Sequence, residues 1–144
     1  MAKLFLALGS NLGARQDNLH RAISLIEERV GRVVAVSKFY ATEPEGFSSS
    51  NTFLNATIEV KTRLRVYRVL RVTQEIERIM GRKEKSVGGV HSDRVIDIDI
   101  LLYSNYRTKR GRLQVPHPRM LQRDFVMIPL RDIMSDSAIR NIKI

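Results

Sequence analysis

Two aspartates two residues apart, Asp97 and Asp99 in the run RVIDIDILLY (94–103), interrupt a stretch that is otherwise apolar and β-branched. Burying an unpaired carboxylate costs several kcal/mol, comparable with the stability margin of a small domain, so each needs a compensating partner. Alternate side chains of an extended strand share a face, which sets Val95, Asp97, Asp99 and Leu101 on one side and Ile96, Ile98 and Ile100 on the other. At ~3.3 Å rise per residue the two carboxylates stand roughly 6.6 Å apart. That gap suits hard cations, and Mg²⁺ typically takes one or two carboxylates plus phosphate oxygens. Arg82 and Arg94 bracket the segment before the strand, and guanidinium groups are well shaped to clamp phosphate. The pattern suits metal-bound polyphosphate. Spacing alone leaves two alternatives open: salt bridges to Arg94, Arg82 or Arg123, and an edge strand with this face in water.

Other candidates read less sharply. On a helical wheel from Leu64 to Met80, Glu77 falls beside Val66 and Leu70 at the margin of the apolar stripe, with Gln74 one turn earlier. Glu77 either meets a ligand in the groove between helix and sheet or reaches out to solvent. His117 stands between two prolines that fix its backbone, as a phosphate contact or as a plain turn residue.

The elements that must position these residues follow from periodicity. KLFLAL (3–8) is a short continuous apolar run ending at Gly9, a central strand. From Arg15 to Val30, Leu19, Ala22, Ile23, Ile26 and Val30 form one stripe and Gly31 supplies a stop, an amphipathic helix. RVVAVSKFYAT and TFLNATIEVKT alternate as strands around the polar loop EPEGFSSSN. In the second helix Val66, Val69, Thr73, Ile76 and Met80 oppose Arg68, Arg71, Glu75, Arg78 and Arg82. GRKEKSVGGVHSD has no periodicity, and the aspartate strand follows it. The order strand, helix, strand, strand, helix, strand predicts an α+β ferredoxin-like βαββαβ sandwich. Its helices lie on one face of a mainly antiparallel sheet, and a C-terminal extension adds a short strand, a helical turn and a closing segment.

Bulk properties narrow the class. At 144 residues the chain is expected to form one domain, 1–144, with a real core. Without cysteine there is neither a disulfide nor a thiolate metal site, and the apolar run LFLAL is too short for a membrane span, so the expectation is a cytoplasmic protein. Twenty-five Lys and Arg against fifteen Asp and Glu give a formal charge of +10, concentrated at 61–85 with nine basic and three acidic residues. Such a surplus favours a nucleotide or a nucleic acid, or is simply a solvated helix face. An RNA-recognition module is also βαββαβ. This chain lacks the aromatic-rich run of such modules, and aspartates on the sheet would repel a phosphate backbone, so nucleic acid is not expected.

Six stretches in register carry a resemblance: LALGSNLG (6–13), ATEPEG (41–46), FLNATIEV (53–60), QEIE (74–77), RVIDIDILLY (94–103) and VPHPRMLQRDFVMIPL (115–130). Over about residues 4 to 133 the chain resembles the 6-hydroxymethyl-7,8-dihydropterin pyrophosphokinase family. The resemblance implies Mg²⁺-dependent transfer of the β,γ-diphosphate of ATP to the hydroxymethyl group of 6-hydroxymethyl-7,8-dihydropterin, releasing AMP, in folate biosynthesis. It implies two Mg²⁺ on Asp97 and Asp99, and ATP contacts from Gln74, Glu77, His117 and Arg123. Arg82 and Arg94 take the places of two catalytic-loop arginines. The pterin would stack between Phe53 and Phe125, meet Asn55 at its edge, and be lined by Thr42 and Pro44. Phe53 stands where relatives often carry Tyr, which keeps the stacking surface and drops the hydroxyl; as bare sequence, both rings read as core residues. A monomer is the family expectation.

One stretch departs from the family. Where relatives read close to R-W-G-P-R, this chain reads VGGVHSDR, two residues longer between Arg82 and Arg94. It has no tryptophan and offers His91 and Asp93 instead, with Gly88 and Gly89 as expected hinges of a looser lid. A relative that has lost catalysis is the competing reading, and retention of Asp97, Asp99, Arg82 and Arg94 argues against it.

Overall fold

The computed structural model describes residues 1–43, 51–81 and 93–144. Arg82, Pro44, Gly88, Gly89 and His91 therefore lie outside the described residues.

The first strand, β1 (Ala2–Ser10), alternates Leu4, Leu6 and Leu8 with Phe5, Ala7 and Gly9. It runs into α1 (Arg15–Arg29), which buries Leu19, Ala22 and Ile26 and carries Asp17 in its first turn and Arg29 in its last, both matching the helix dipole. Gly31 follows because an added Cβ would run into the Lys61 carbonyl oxygen. Then come β2 (Arg32–Val36), β3 (Tyr40–Thr42), β4 (Phe53–Thr62) and α2 (Val66–Ile79), the last burying Val66, Val69, Val72, Thr73, Ile76 and Glu77. β5 (Asp97–Tyr103) completes the main sheet, ordered β2-β4-β1-β5 with β3 also paired to β4 and every pairing antiparallel.

Leu4, Leu6 and Leu8 of β1, Ala56, Ile58 and Val60 of β4, and Ile98 and Ile100 of β5 meet the apolar stripes of α1 and α2 in one buried cluster. Both helices thus lie on one face, as the periodicity predicts. The C-terminal extension is richer than expected. It forms a hairpin of β6 (Thr108–Arg110) and β7 (Leu113–Val115), a 3-10 turn at Met120–Gln122, α3 (Asp124–Ile133) and the short α4 (Asp136–Arg140). α3 crosses the other face of the sheet, where Val126, Met127 and Leu130 pack on Phe5, Leu101 and Leu102. A register shift between Phe5 and Leu6 inserts Leu101 as an extra residue, which sends both Leu101 and Leu102 to this second cluster.

Two boundaries differ from the sequence reading. The single strand expected over RVVAVSKFYAT divides into β2 and β3 because buried Ser37 takes over the pairing. Its N–H donates to the Thr57 carbonyl at 2.9 Å, and its Oγ accepts the Thr57 N–H at 2.9 Å. The aspartate strand starts at Asp97 rather than Val95, and Val95 packs with Ile96 on the helix-side cluster instead of sharing the aspartate face. Alternation cannot show this, since the β-branched run continues through the bend.

Candidate active site

Register brings the site together. Gly9 pairs with Asp97 on one side and Asn55 on the other, and Asn55 pairs in turn with Tyr40. One row thus crosses four strands as Asp97, Gly9, Asn55 and Tyr40; the next runs Asp99, Ala7, Thr57. All lie on the face away from α1 and α2, since side chains alternate. Gly9 and Ala7 make a low floor between the carboxylates of β5 and the polar groups of β4. An added Cβ at Gly9 would come 3.1 Å from Asn55 Oδ1 and 3.4 Å from Phe53 Cδ1, so this position must stay small for both to keep their places. α3 packs on Phe5, Leu101 and Leu102 at the other end of this face and meets the Gly9 row at Tyr40.

Asp97 and Asp99 are half-buried. Arg94 Nε lies 3.8 Å from Asp97 Oδ2, a long ion pair with 12% and 19% of the two side chains exposed. Both alternatives left open by spacing hold in part: β5 is an edge strand, and Arg94 does approach Asp97. The paired carboxylate oxygens of Asp97 and Asp99 are hard ligands of the kind a divalent cation takes.

The open edge of β5 collects two more candidates. Glu77, 4% exposed, reaches from α2 so that its Oε2 accepts the Ile98 N–H at 2.8 Å, which places a buried carboxylate beside the backbone between the two aspartates. It does not reach solvent. Three residues on, the Leu101 carbonyl accepts the His117 N–H at 2.9 Å. His117 Nδ1 accepts the Arg119 N–H at 3.2 Å. Gln74 lies half-buried on α2, three residues before Glu77.

On the other side of the floor, Asn55 Nδ2 donates to Thr42 Oγ1 at 2.6 Å, which turns its Oδ1 toward Gly9. Phe53 is 8% exposed, and the Arg94 guanidinium carbon stands 5.1 Å from its ring centroid. Phe125 is half-buried at the start of α3 against the second cluster, with the Arg123 guanidinium carbon 5.4 Å from its centroid. Such spacing is cation–π contact in both cases. Asp132 of α3 accepts from Tyr40 Oη at 2.8 Å and from the Lys38 N–H at 3.0 Å, tying α3 to β3. The hydrogen bond to Asp132, then desolvation, then the charge of the same carboxylate hold the Tyr40 phenol above its usual pKa.

Sequence reasoning missed the residues that hold these in place. Ala7 and Gly9 were visible as small residues alternating with leucines, a signal of close approach. Asn11, 2% exposed, binds both the backbone and the side chain of 93–94, and nothing in its local sequence announces a partner so far away.

Fold and site together define an α+β domain with an acidic, arginine-flanked trough on the open face of its sheet. The model of the family 7,8-dihydro-6-hydroxymethylpterin-pyrophosphokinase (HPPK) matches residues 5–135, and the chain belongs to that family. It is similar to the 2-amino-4-hydroxy-6-hydroxymethyldihydropteridine pyrophosphokinase of Porphyromonas gingivalis, 50% identical over 134 residues that cover 92% of this chain and 91% of that protein. The protein of the same name from Bacillus subtilis is 39% identical over 130 residues, covering 90% of this chain and 76% of its own. A crystal structure of HPPK-DHPS in complex with substrates superposes with a TM-score of 0.73 at 17% identity, covering 92% of this chain. This chain spans 40% of that longer one, and the likeness is one of fold.

Proposed function

We propose that this chain, as a single domain over 1–144, transfers the β,γ-diphosphate of ATP to the hydroxymethyl oxygen of 6-hydroxymethyl-7,8-dihydropterin and releases AMP, a step of folate biosynthesis. The observation that carries the reading is the row Asp97, Gly9, Asn55: carboxylates for a metal–polyphosphate on one side, an amide for a heterocycle on the other, and a floor too small to separate them.

Asp97 and Asp99 are the metal ligands in this reading, with two Mg²⁺ accompanying ATP. Held by those two carboxylates, the metal would supply positive charge against the triphosphate. Arg94, with Arg82, offers guanidinium donors to the transferring phosphates, preorganised charge that acts where negative charge develops. Gln74, Glu77, His117 and Arg123 contact ATP in this reading, and Glu77 also accepts the Ile98 N–H between the two ligands. Phe53 and Phe125 hold the flat pterin, with Asn55 Oδ1 accepting from its edge and Thr42 and Pro44 lining it. The pterin hydroxyl oxygen forms a bond to the β-phosphorus and gives its proton to water, while the bond from that phosphorus to the α–β bridging oxygen breaks and the oxygen leaves with its electron pair on AMP. No protein nucleophile is needed.

The proposal extends to a cytoplasmic monomer that does not bind nucleic acid. Among the described residues no helix is long and apolar enough to cross a membrane. A coupled AMP-release assay with Mg·ATP, with and without the pterin alcohol, tests the reading. Release only when both are present is expected. Binding of both without AMP marks a catalytically silent relative, and salt-sensitive RNA binding without turnover contradicts the enzyme reading altogether.

A further inference from the structure

Asp93 sits in the stretch where this chain departs from its family, and the structure gives its carboxylate a definite task. Asn11 Nδ2 donates to Asp93 Oδ1 at 2.7 Å, and Asn51 Nδ2 donates to Asp93 Oδ2 at 3.1 Å. Asn11, buried just past the end of β1, also closes on Arg94: its N–H donates to the Arg94 carbonyl at 3.0 Å, and its Oδ1 accepts the Arg94 N–H at 2.7 Å. Three segments that flank the trough, after β1, before β4 and before β5, are thereby joined through one carboxylate.

The chemistry gives a direction to this network. A primary amide has a donor end and an acceptor end, whereas an ionised carboxylate only accepts. Asp93 therefore forces Asn11 to present Nδ2 to it, and so to present Oδ1 to the Arg94 amide. It also takes the Asn51 donor on its second oxygen, which a neutral amide in its place could not do while still receiving Asn11. Arg94, so held, reaches Asp97 and covers Phe53 with the same guanidinium.

We propose that Asp93 is a positioning residue that sets the amide orientation of Asn11 and through it holds Arg94 between the carboxylate and aromatic sides of the trough. Its role in turnover rests on the function proposed above; the clamp itself does not.

The test is an exchange of partners. Asp93→Asn sets two amide donors against each other, and Asn11→Asp sets two carboxylates against each other. Combining the two substitutions restores every bond with the polarity of the central one reversed. The amide now at position 93 donates to the carboxylate now at position 11, that carboxylate still accepts the Arg94 N–H, and the oxygen of the exchanged amide accepts from Asn51. Two readouts are taken on all four proteins: kcat and KM for AMP release, and the hydrogen-exchange rate of the Arg94 amide by NMR. Each single variant is expected to lower kcat about tenfold and speed Arg94 exchange about tenfold, with the double variant within about threefold of the parent, the coupling scale of neighbouring groups. Single variants with parental kcat, or a double variant no better than the singles, overturn the positioning role. Unchanged Arg94 exchange in Asp93→Asn overturns the clamp. A parent that releases no AMP overturns the functional reading and the role in turnover, while the exchange data still decide the clamp.

Discussion

The two faces of the central sheet are made by the same strands and do opposite things. Toward α1 and α2, β1 presents Leu4, Leu6 and Leu8, and β5 presents Ile98 and Ile100, all nearly or fully buried. One residue out of phase, the same strands present Ala7, Gly9, Asp97 and Asp99. The first face is bulky, apolar and closed; the second joins an apolar patch under α3, around Phe5, Leu101 and Leu102, to a small, polar end at Gly9, Asp97 and Asp99. Period-2 alternation lets one strand supply core and chemistry without either intruding on the other. Substitutions on the two faces should accordingly separate stability from turnover.

The largest effect is expected on the closed face. Leu6→Ala should cost about 2–5 kcal/mol of unfolding free energy, measured by chemical denaturation, with kcat of the folded fraction nearly unchanged. A loss of activity without loss of stability would erase the distinction between faces. Next come Asp97→Ala and Asp99→Ala, each expected to slow AMP release by ~100-fold, the scale of lost preorganised charge stabilisation. Their midpoints of unfolding should stay close to the parent's, and near-normal rates would remove the metal-ligand role. Phe125→Ala follows, weakening pterin binding by roughly 1 to 3 kcal/mol in calorimetry, as for other stacked rings. If ATP affinity falls instead, the ring belongs to the nucleotide side.

The smallest effect concerns the tie between α3 and β3. Because the Tyr40 phenol is held above its usual pKa by Asp132, the folded state favours the protonated phenol. The stability that Tyr40 adds over Tyr40→Phe should be fully present below the unfolded phenol pKa and vanish as pH rises through the raised value. Denaturation curves of both proteins across that alkaline range check the sign, and a gap that widens with pH would refute the assignment.

Much of this division was readable from spacing. The leucines of β1, the stripes of both helices and the shared face of Asp97 and Asp99 all follow from periods of 2 and 3.6. The break at Ser37 was not, because a serine that substitutes its side chain for a ladder bond leaves the alternation intact. The start of β5 was blurred for the same reason, since Val95 and Ile96 are as β-like as the strand itself. Glu77 could be placed at the margin of its stripe, yet its partner is a backbone amide, which carries no sequence signature. The Asn11–Asp93–Asn51 network joins residues 82 and 42 positions apart, beyond any local pattern.

The most direct test of the open face as a diphosphate-transfer site is to follow the products by ³¹P NMR in one reaction with Mg·ATP and the pterin alcohol. The account predicts AMP and a pterin diphosphate in equal amounts, with neither ADP nor orthophosphate formed. ADP with a pterin monophosphate, or free phosphate without a pterin ester, would contradict it.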